Sequence, residues 1–297
     1  MARFHRLSLY FGKCWEYIGG FDVAGGMSDL TFDGRVYGGP GIADGARDDV
    51  AEGARRRRDL VEFSVAYALI ALAVWTPLPW QRYLSVAALA WVAIATWRSF
   101  DGLHAMGFRG AQIWRAAWVL GVVLALTAAA VGVAVWMETL RVPHSPGLFV
   151  ERYWAYAIWS FLQEFLLLNF FLLRLLRLLP NKTAAAITAT ALFALVHLPN
   201  PVLTPLTMIW GYAACLIFLH YRNIYIPAVA HAILGISIAI TIPGHVDHNM
   251  RVGLGYLRYH EHHGHRGDQR LAPQRSQMDH MVSTVAWVMA DAPMRRS

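Results

Sequence analysis

The chain has 297 residues, of which 57% are hydrophobic and only 15% charged, and its formal net charge is +7 at pH 7. Because the apolar residues are concentrated in long runs, this composition excludes an ordinary soluble domain and indicates an integral membrane protein. The positive charge does not favour nucleic acid as a partner, since the arginines lie beside the apolar runs, where basic residues commonly set membrane orientation. We therefore expect the lipid bilayer as a partner and no nucleic acid.

The first 57 residues lack a sustained apolar pattern. They contain Gly-Gly pairs with scattered charged and aromatic side chains, and such a segment cannot bury enough apolar surface to form a core. We predict a poorly ordered N-terminal extension over residues 1–57. A run of arginines at residues 55–58 then abuts the first apolar run, which favours a cytoplasmic N-terminus.

Seven apolar runs follow, and they predict an all-α, polytopic membrane helical bundle over residues 58–244 with about seven transmembrane helices. The runs cover residues 60–78, 83–97, 114–137, 153–173, 184–198, 206–219 and 224–242. Counted from a cytoplasmic N-terminus, seven crossings place most of the flanking arginines on the cytoplasmic side. The second and fifth runs are shorter than the roughly 20 residues of a membrane helix, so one of them could instead be re-entrant.

Residues 245–297 contain no long apolar run, and we predict a polar, disordered C-terminal tail. This tail includes the histidine-rich segment Tyr-His-Glu-His-His-Gly-His at residues 259–265. The segment has two interpretations, a metal-binding tract or a solvated tail. We favour the solvated tail because clustered histidines without a fixed fold bind metals loosely and unselectively.

Three ionisable side chains lie inside the apolar runs, namely Glu164, His197 and His231. An acidic residue at a helix centre costs about 2.5–3.5 kcal/mol on membrane insertion, so Glu164 should face the bundle interior with a polar partner or be protonated. A hydrogen bond between helices is its plain structural explanation, and Gln163 and Asn169 could serve the same purpose. Considered alone, His197 could be a histidine at the membrane interface, and His231 could be a core histidine whose hydrogen bonds are satisfied.

Together the three residues favour a hydrolytic centre, because three membrane helices can bring them to similar depth. A carboxylate can take a proton from water as a general base, and an imidazole can polarise the scissile carbonyl or protonate the leaving amine. Glu164, His197 and His231 could instead bind Zn²⁺ as a cofactor. Their spacing in the sequence leaves both alternatives open.

The sequences around these residues form three motifs. They read Glu-Phe-Leu-Leu-Leu-Asn at 164–169, Phe-Ala-Leu-Val-His at 193–197 and His-Ala-Ile-Leu-Gly at 231–235. They resemble the Glu-Glu-x-x-x-Arg, Phe-x-x-x-His and His-x-x-x-Asn motifs of the CAAX proteases and bacteriocin-processing enzymes, the CPBP or Abi family. The second motif matches in full, and the resemblance covers roughly residues 150–245.

This resemblance implies an intramembrane endopeptidase of the glutamic type in a bacterial inner membrane. It assigns Glu164 and His197 to the activation of a water molecule and His231 to the developing oxyanion, with Phe193 in a supporting position. The implied partner is a membrane protein or peptide substrate, which could carry a prenylated CAAX tail, a leader peptide or a sorting signal.

The chain departs from the family motifs at three positions. Phe165 replaces the second Glu, Asn169 stands at the Arg position and Gly235 at the Asn position. A register shifted by one residue would place Gln163 first, but the unshifted register retains the essential acid and keeps Asn169 as a polar residue. The departures leave a non-catalytic membrane immunity or scaffold protein of the same fold as an alternative. A transporter is less favoured because no repeated halves are visible.

Overall fold

The computed structural model describes residues 42–100, 102–103, 105–110 and 113–264, and this part of the chain is helical without β-strands. The predicted all-α class is therefore confirmed. In chain order the helices are α1 (Ile42–Trp75), α2 (Trp80–Arg98), α3 (Ile113–Ala116), α4 (Trp118–Trp136), α5 (Pro146–Glu164), a π-helix (Phe165–Leu172), α6 (Leu173–Leu178), α7 (Lys182–Leu195), α8 (Leu203–Tyr221), α9 (Tyr225–Thr241), α10 (Gly244–Asp247), a 3-10 helix (His248–Met250) and α11 (Gly253–Gly264).

Polar side chains cap the three helices that position the predicted site residues. The Ser145 hydroxyl accepts a hydrogen bond at 3.3 Å from the backbone N–H three residues later, and Pro146 occupies the first position of α5. Asn181 caps α7 in the same way at 2.7 Å, and Asn223 accepts at 3.1 Å from the N–H of Ile226 in α9. These caps satisfy N–H groups that a helix leaves without partners in its first turn.

Three helical stretches are long and apolar enough to cross a membrane. They are Ile113–Trp136, Pro146–Leu178 and Leu203–Tyr221, and a fourth candidate is the pair Tyr225–Thr241 and Gly244–Met250, which is bent by 115°. The integral membrane class is thus supported, whereas the predicted count of seven crossings is not confirmed over the described ranges. α7 has only 14 residues, or about 21 Å of helix against a hydrocarbon core of about 30 Å.

The centre of the bundle is the continuous helical stretch formed by α5, the π-helix and α6. Leu168 and Leu172 of the π-helix are buried against Ala185 and Ala189 of α7 and Ala214 of α8. Small side chains on α7 and α8 let the helix backbones approach closely, which is how helices commonly associate in lipid. This packing holds Glu164, at the junction of α5 and the π-helix, inside the bundle.

The predicted N-terminal extension is corrected over its last residues, because α1 begins at Ile42. Arg56 donates to the carbonyl of Leu178 at 3.1 Å, and the next turn of α1 places the Asp59 carboxylate 2.7 Å from Arg177. Arg56 and Asp59 of α1 are thus held by polar and ionic contacts to α6, which a search for apolar patterns does not detect. Residues 1–41 lie outside the described residues.

The predicted C-terminal tail is corrected over residues 245–264, which form α10, the 3-10 helix and α11. The fully buried Asn200 donates to the carbonyls of Asp247 and Arg251 at 2.7 and 3.0 Å. The N–H of Gly253 donates to the carbonyl of Leu198 at 2.7 Å. Hydrogen bonds to the loop after α7 thus anchor a polar segment that has no apolar run. The side chains of the histidine-rich segment, and residues 265–297, lie outside the described part.

Candidate active site

Glu164 is the last residue of α5, and its side chain is fully buried. Its Oε1 atom lies 2.8 Å from Nδ1 of His231 on α9 and accepts a hydrogen bond at 2.7 Å from Nε1 of Trp210 on α8. Two of the three predicted catalytic residues therefore meet directly. Three helices contribute one polar group each to this contact, so the acid has the polar partners that its position in an apolar helix requires.

The second oxygen of the same carboxylate, Oε2, differs from Oε1 in its hydrogen bonding. Oε2 of Glu164 is buried and has no hydrogen-bond partner within the described residues. A carboxylate oxygen has lone pairs and is a strong acceptor, and leaving it without a partner costs free energy. Oε2 is thus the atom of Glu164 that is available to bind a water molecule and take its proton.

His197 follows the C-terminal end of α7, and its Nδ1 lies 2.7 Å from the carbonyl oxygen of Phe193. Because a carbonyl can only accept, Nδ1 carries the hydrogen, and Nε2 of the neutral ring keeps its lone pair. The Phe193 ring lies beside both histidines, with centroid distances of 4.9 Å to His197 and 6.1 Å to His231. Among the described contacts, His197 makes no direct hydrogen bond to Glu164.

The structure does not assemble Glu164, His197 and His231 into a zinc site. Within the described part of the chain, no group of three or more His, Cys, Asp or Glu side chains is placed to hold a metal ion. We therefore derive no step through a metal.

The two predicted polar supporting residues, Gln163 and Asn169, lie in different environments. Gln163 is half-buried and lines a cavity beside the site. Asn169 is buried inside the π-helix, and neither of its amide atoms has a hydrogen-bond partner in the described structure. π-helical segments occur frequently at functional sites, and this one begins directly after Glu164.

The cavity beside the site has a volume of about 1800 Å³ and a mostly apolar lining. Its wall includes residues from α5, α7, α8 and α9, namely Tyr156, Phe193, His197, Trp210, His231 and Gly235. A cavity of this kind, with a few convergent polar groups, is the usual form of a ligand or substrate site. Both predicted histidines therefore border one space that a substrate chain could occupy.

Trp210 is the contact that the sequence did not predict. It lies in an apolar run, where a tryptophan is most simply read as a packing or interfacial residue. The sequence feature that could have indicated this contact is the indole N–H, because a buried indole N–H needs a hydrogen-bond acceptor. Glu164 is the acidic side chain that supplies this acceptor.

Residues 145–236 match the family model described as Type II CAAX prenyl endopeptidase Rce1-like. The matched stretch contains Glu164, His197 and His231, and it confirms the family resemblance inferred from the three motifs. No curated protein and no solved structure matches the chain.

Proposed function

We propose that this protein, which matches the CAAX prenyl endopeptidase model over residues 145–236, is an intramembrane endopeptidase. It hydrolyses a peptide bond of a membrane-associated or lipidated protein or peptide with a water molecule activated by Glu164. The observation that carries this proposal is the asymmetry of the Glu164 carboxylate. One oxygen is fixed by Trp210 and His231, and the other is buried without a protein partner.

In this mechanism Glu164 is the general base. Oε2 takes a proton from the water, and the water oxygen attacks the carbon of the scissile carbonyl. The tetrahedral intermediate then collapses, the C–N bond breaks, and Glu164 returns the proton to the nitrogen of the leaving amine. The hydrogen bonds to Oε1 hold the carboxylate in one orientation during both proton transfers. A general base needs such a fixed orientation to stay aligned with the reacting atoms.

His197 positions the water in this proposal. Its Nδ1–H is committed to the Phe193 carbonyl, so Nε2 can accept a hydrogen bond from the second hydrogen of the water. Nε2 of His231 is the nitrogen not bound to Glu164, and when protonated it donates to the developing oxyanion. Asn169 and Gln163 remain supporting residues, and the contact of Glu164 with His231 supports the register in which Glu164 is the essential acid.

The cavity supports a lipidated substrate. Its lining is mostly apolar, and an apolar wall favours a prenyl chain over a polar peptide segment. The description of the matched family names a CAAX prenyl endopeptidase, so we take a prenylated C-terminal CAAX sequence as the substrate class to test first.

We further propose a bacterial inner membrane as the location, with the cytoplasm on the side of α1 and the end of α9 outside. The clustering of arginines at alternate ends of the apolar runs supports this orientation, and the family resemblance suggests the bacterial inner membrane. Alkaline phosphatase fused after Gly264 should then be active, and green fluorescent protein at the same position should not fluoresce. A fluorescent fusion would place that end in the cytoplasm and contradict seven crossings.

Cleavage by the purified protein tests the proposed function. The full chain is reconstituted in liposomes with a farnesylated peptide ending in Cys-aliphatic-aliphatic-Met, and the products are identified by mass spectrometry. We expect release of the C-terminal tripeptide. The scaffold alternative instead predicts a folded protein, shown by a cooperative thermal unfolding transition, that releases no product.

We expect Trp210→Phe to lower kcat by about 10- to 100-fold, because hydrogen bonds to charged groups contribute about 1.5–3 kcal/mol. The substitution keeps an aromatic ring but removes the N–H that holds Oε1 of Glu164. The measurement is the initial rate at saturating peptide. Trp159→Phe is the matched control, since Trp159 is half-buried and lines the same cavity. Equal rates for the two variants would contradict the positioning role of Trp210.

A further inference from the structure

Gly235 stands where the family motif has an asparagine, a side chain that can donate a hydrogen bond to an oxyanion. The space beside this glycine is filled. A Cβ atom added at position 235 would overlap the phenol of Tyr156, and its three nearest atoms would be the hydroxyl oxygen, Cζ and Cε1 of that ring. The phenol of Tyr156 therefore occupies the space where a side chain at position 235 would begin.

Tyr156 reaches this position from the helix that carries Glu164. The buried side chains Tyr153, Tyr156, Ser160 and Glu164 follow one another at helical spacing along α5, so they share one face. Glu164 meets His231 and Tyr156 meets Gly235, which shows that α5 and α9 run antiparallel. On α9, Gly235 is one turn beyond His231, about 6 Å along the axis.

The hydroxyl group is the part of Tyr156 that a chemical role would need and that filling space would not. A phenylalanine would fill the same gap, so packing alone does not require the hydroxyl, which also has a side-chain hydrogen bond with Ser160 on the same helix. The hydroxyl oxygen is the atom nearest to the position of a Cβ at residue 235. Tyr156 also lines the cavity that His197 and His231 border, so its O–H can reach a substrate bound there.

We propose that the Tyr156 hydroxyl is the oxyanion donor that replaces the missing asparagine at position 235. It donates a hydrogen bond to the carbonyl oxygen of the scissile bond as negative charge develops there, together with His231. No covalent bond to Tyr156 forms. Gly235 is required because any larger side chain would displace the phenol. This inference rests on the proposed endopeptidase function.

The first test compares Tyr156→Phe with the wild type in the farnesylated-peptide assay. Loss of one preorganised oxyanion donor lowers kcat by about 10²–10³-fold in a protease where this was measured, and we expect a fall of that size with little change in KM. Tyr153→Phe is the matched control. Tyr153 is buried on the same face of α5 and packs against Phe149 with a centroid distance of 4.8 Å, so its hydroxyl should be dispensable.

The second test moves the donor from one helix to the other. Tyr156→Ala vacates the space beside position 235, and adding Gly235→Asn places an amide donor there. We expect the double variant to cleave the peptide at least 10-fold faster than Tyr156→Ala alone. A tyrosine that only fills space predicts the same rescue by Gly235→Leu in the Tyr156→Ala background, because leucine has nearly the shape of asparagine but no N–H donor.

The outcomes separate this inference from the proposed function. A wild-type rate for Tyr156→Phe, alongside an inactive Glu164→Gln, would overturn the role of Tyr156 and leave the endopeptidase intact. Absence of cleavage by the wild-type protein would overturn both. A slow Tyr156→Phe variant, together with rescue of Tyr156→Ala by Gly235→Asn but not by Gly235→Leu, supports both.

Discussion

Replacing Arg174 by methionine is expected to destabilise the protein by up to about 3–5 kcal/mol, because the buried Glu62 carboxylate then keeps only the more distant, partly exposed Arg58, 3.9 Å away. Arg174 is 2% exposed, and its guanidinium donates to Glu62 of α1 at 2.8 Å. It also donates to the hydroxyl of Ser99 at 3.2 Å and lies 3.8 Å from the centroid of the Phe170 ring. One side chain thus joins α1, the end of α2 and the central helical stretch.

Thermal and denaturant unfolding in detergent measure this loss. The double variant Arg174→Met, Glu62→Leu should recover most of the stability, because it removes both charges together and buried ion pairs are often replaceable by apolar residues. Arg152→Met is the control, since Arg152 is exposed on α5. A single Arg174→Met variant as stable as this control would show that the buried pair contributes little.

The meeting of Glu164 with His231 could be predicted from the sequence, because an acid in an apolar helix needs a polar partner and the motifs named one. His197 was predicted to lie at similar depth and to position a water with Glu164. In the structure it borders a cavity together with His231, and its polar contact is the Phe193 carbonyl and not Glu164. Trp210 and Tyr156 were missed. Both are aromatic residues in apolar runs, and their polar atoms matter only because of what folding places next to them.

The two ends of the helical domain were predicted poorly because they make polar contacts that no apolar run marks. The search relied on apolar runs, whereas α1 begins in a charged segment. Residues 245–264 are held by hydrogen bonds that the Asn200 side chain donates and the Leu198 carbonyl accepts. The π-helix also has no signal in the sequence, since the segment from Phe165 to Leu172 contains no proline or glycine. Arg174, expected at a cytoplasmic helix end, is buried in an ion pair.

Glu164→Gln is expected to lower kcat by about 10²–10⁴-fold, the range that general-base catalysis commonly contributes. Glutamine has nearly the same shape, and its carbonyl oxygen can still accept from Trp210 and His231. An amide nitrogen then stands in place of Oε2 and cannot take a proton from water. Membrane abundance and thermal unfolding should stay close to wild type, because both hydrogen bonds to Oε1 are kept.

The neighbouring residue provides the control for the register of the first motif. Gln163 is half-buried and lines the cavity, and Gln163→Ala should reduce the rate only mildly. His197→Ala and His231→Ala should both be severe, since one positions the water and the other binds Glu164 and the oxyanion. An inactive Gln163→Ala variant beside an active Glu164→Gln variant would reverse the assignment.

The most direct measurement is the turnover of the farnesylated peptide by wild-type protein and by Glu164→Gln, reconstituted at equal density in the same liposomes. We expect the wild type to release the C-terminal tripeptide and Glu164→Gln to release it at least 100-fold more slowly. Equal turnover by the two proteins, or tripeptide release by neither while both remain folded, would contradict a Glu164-activated water as the basis of this protein's function.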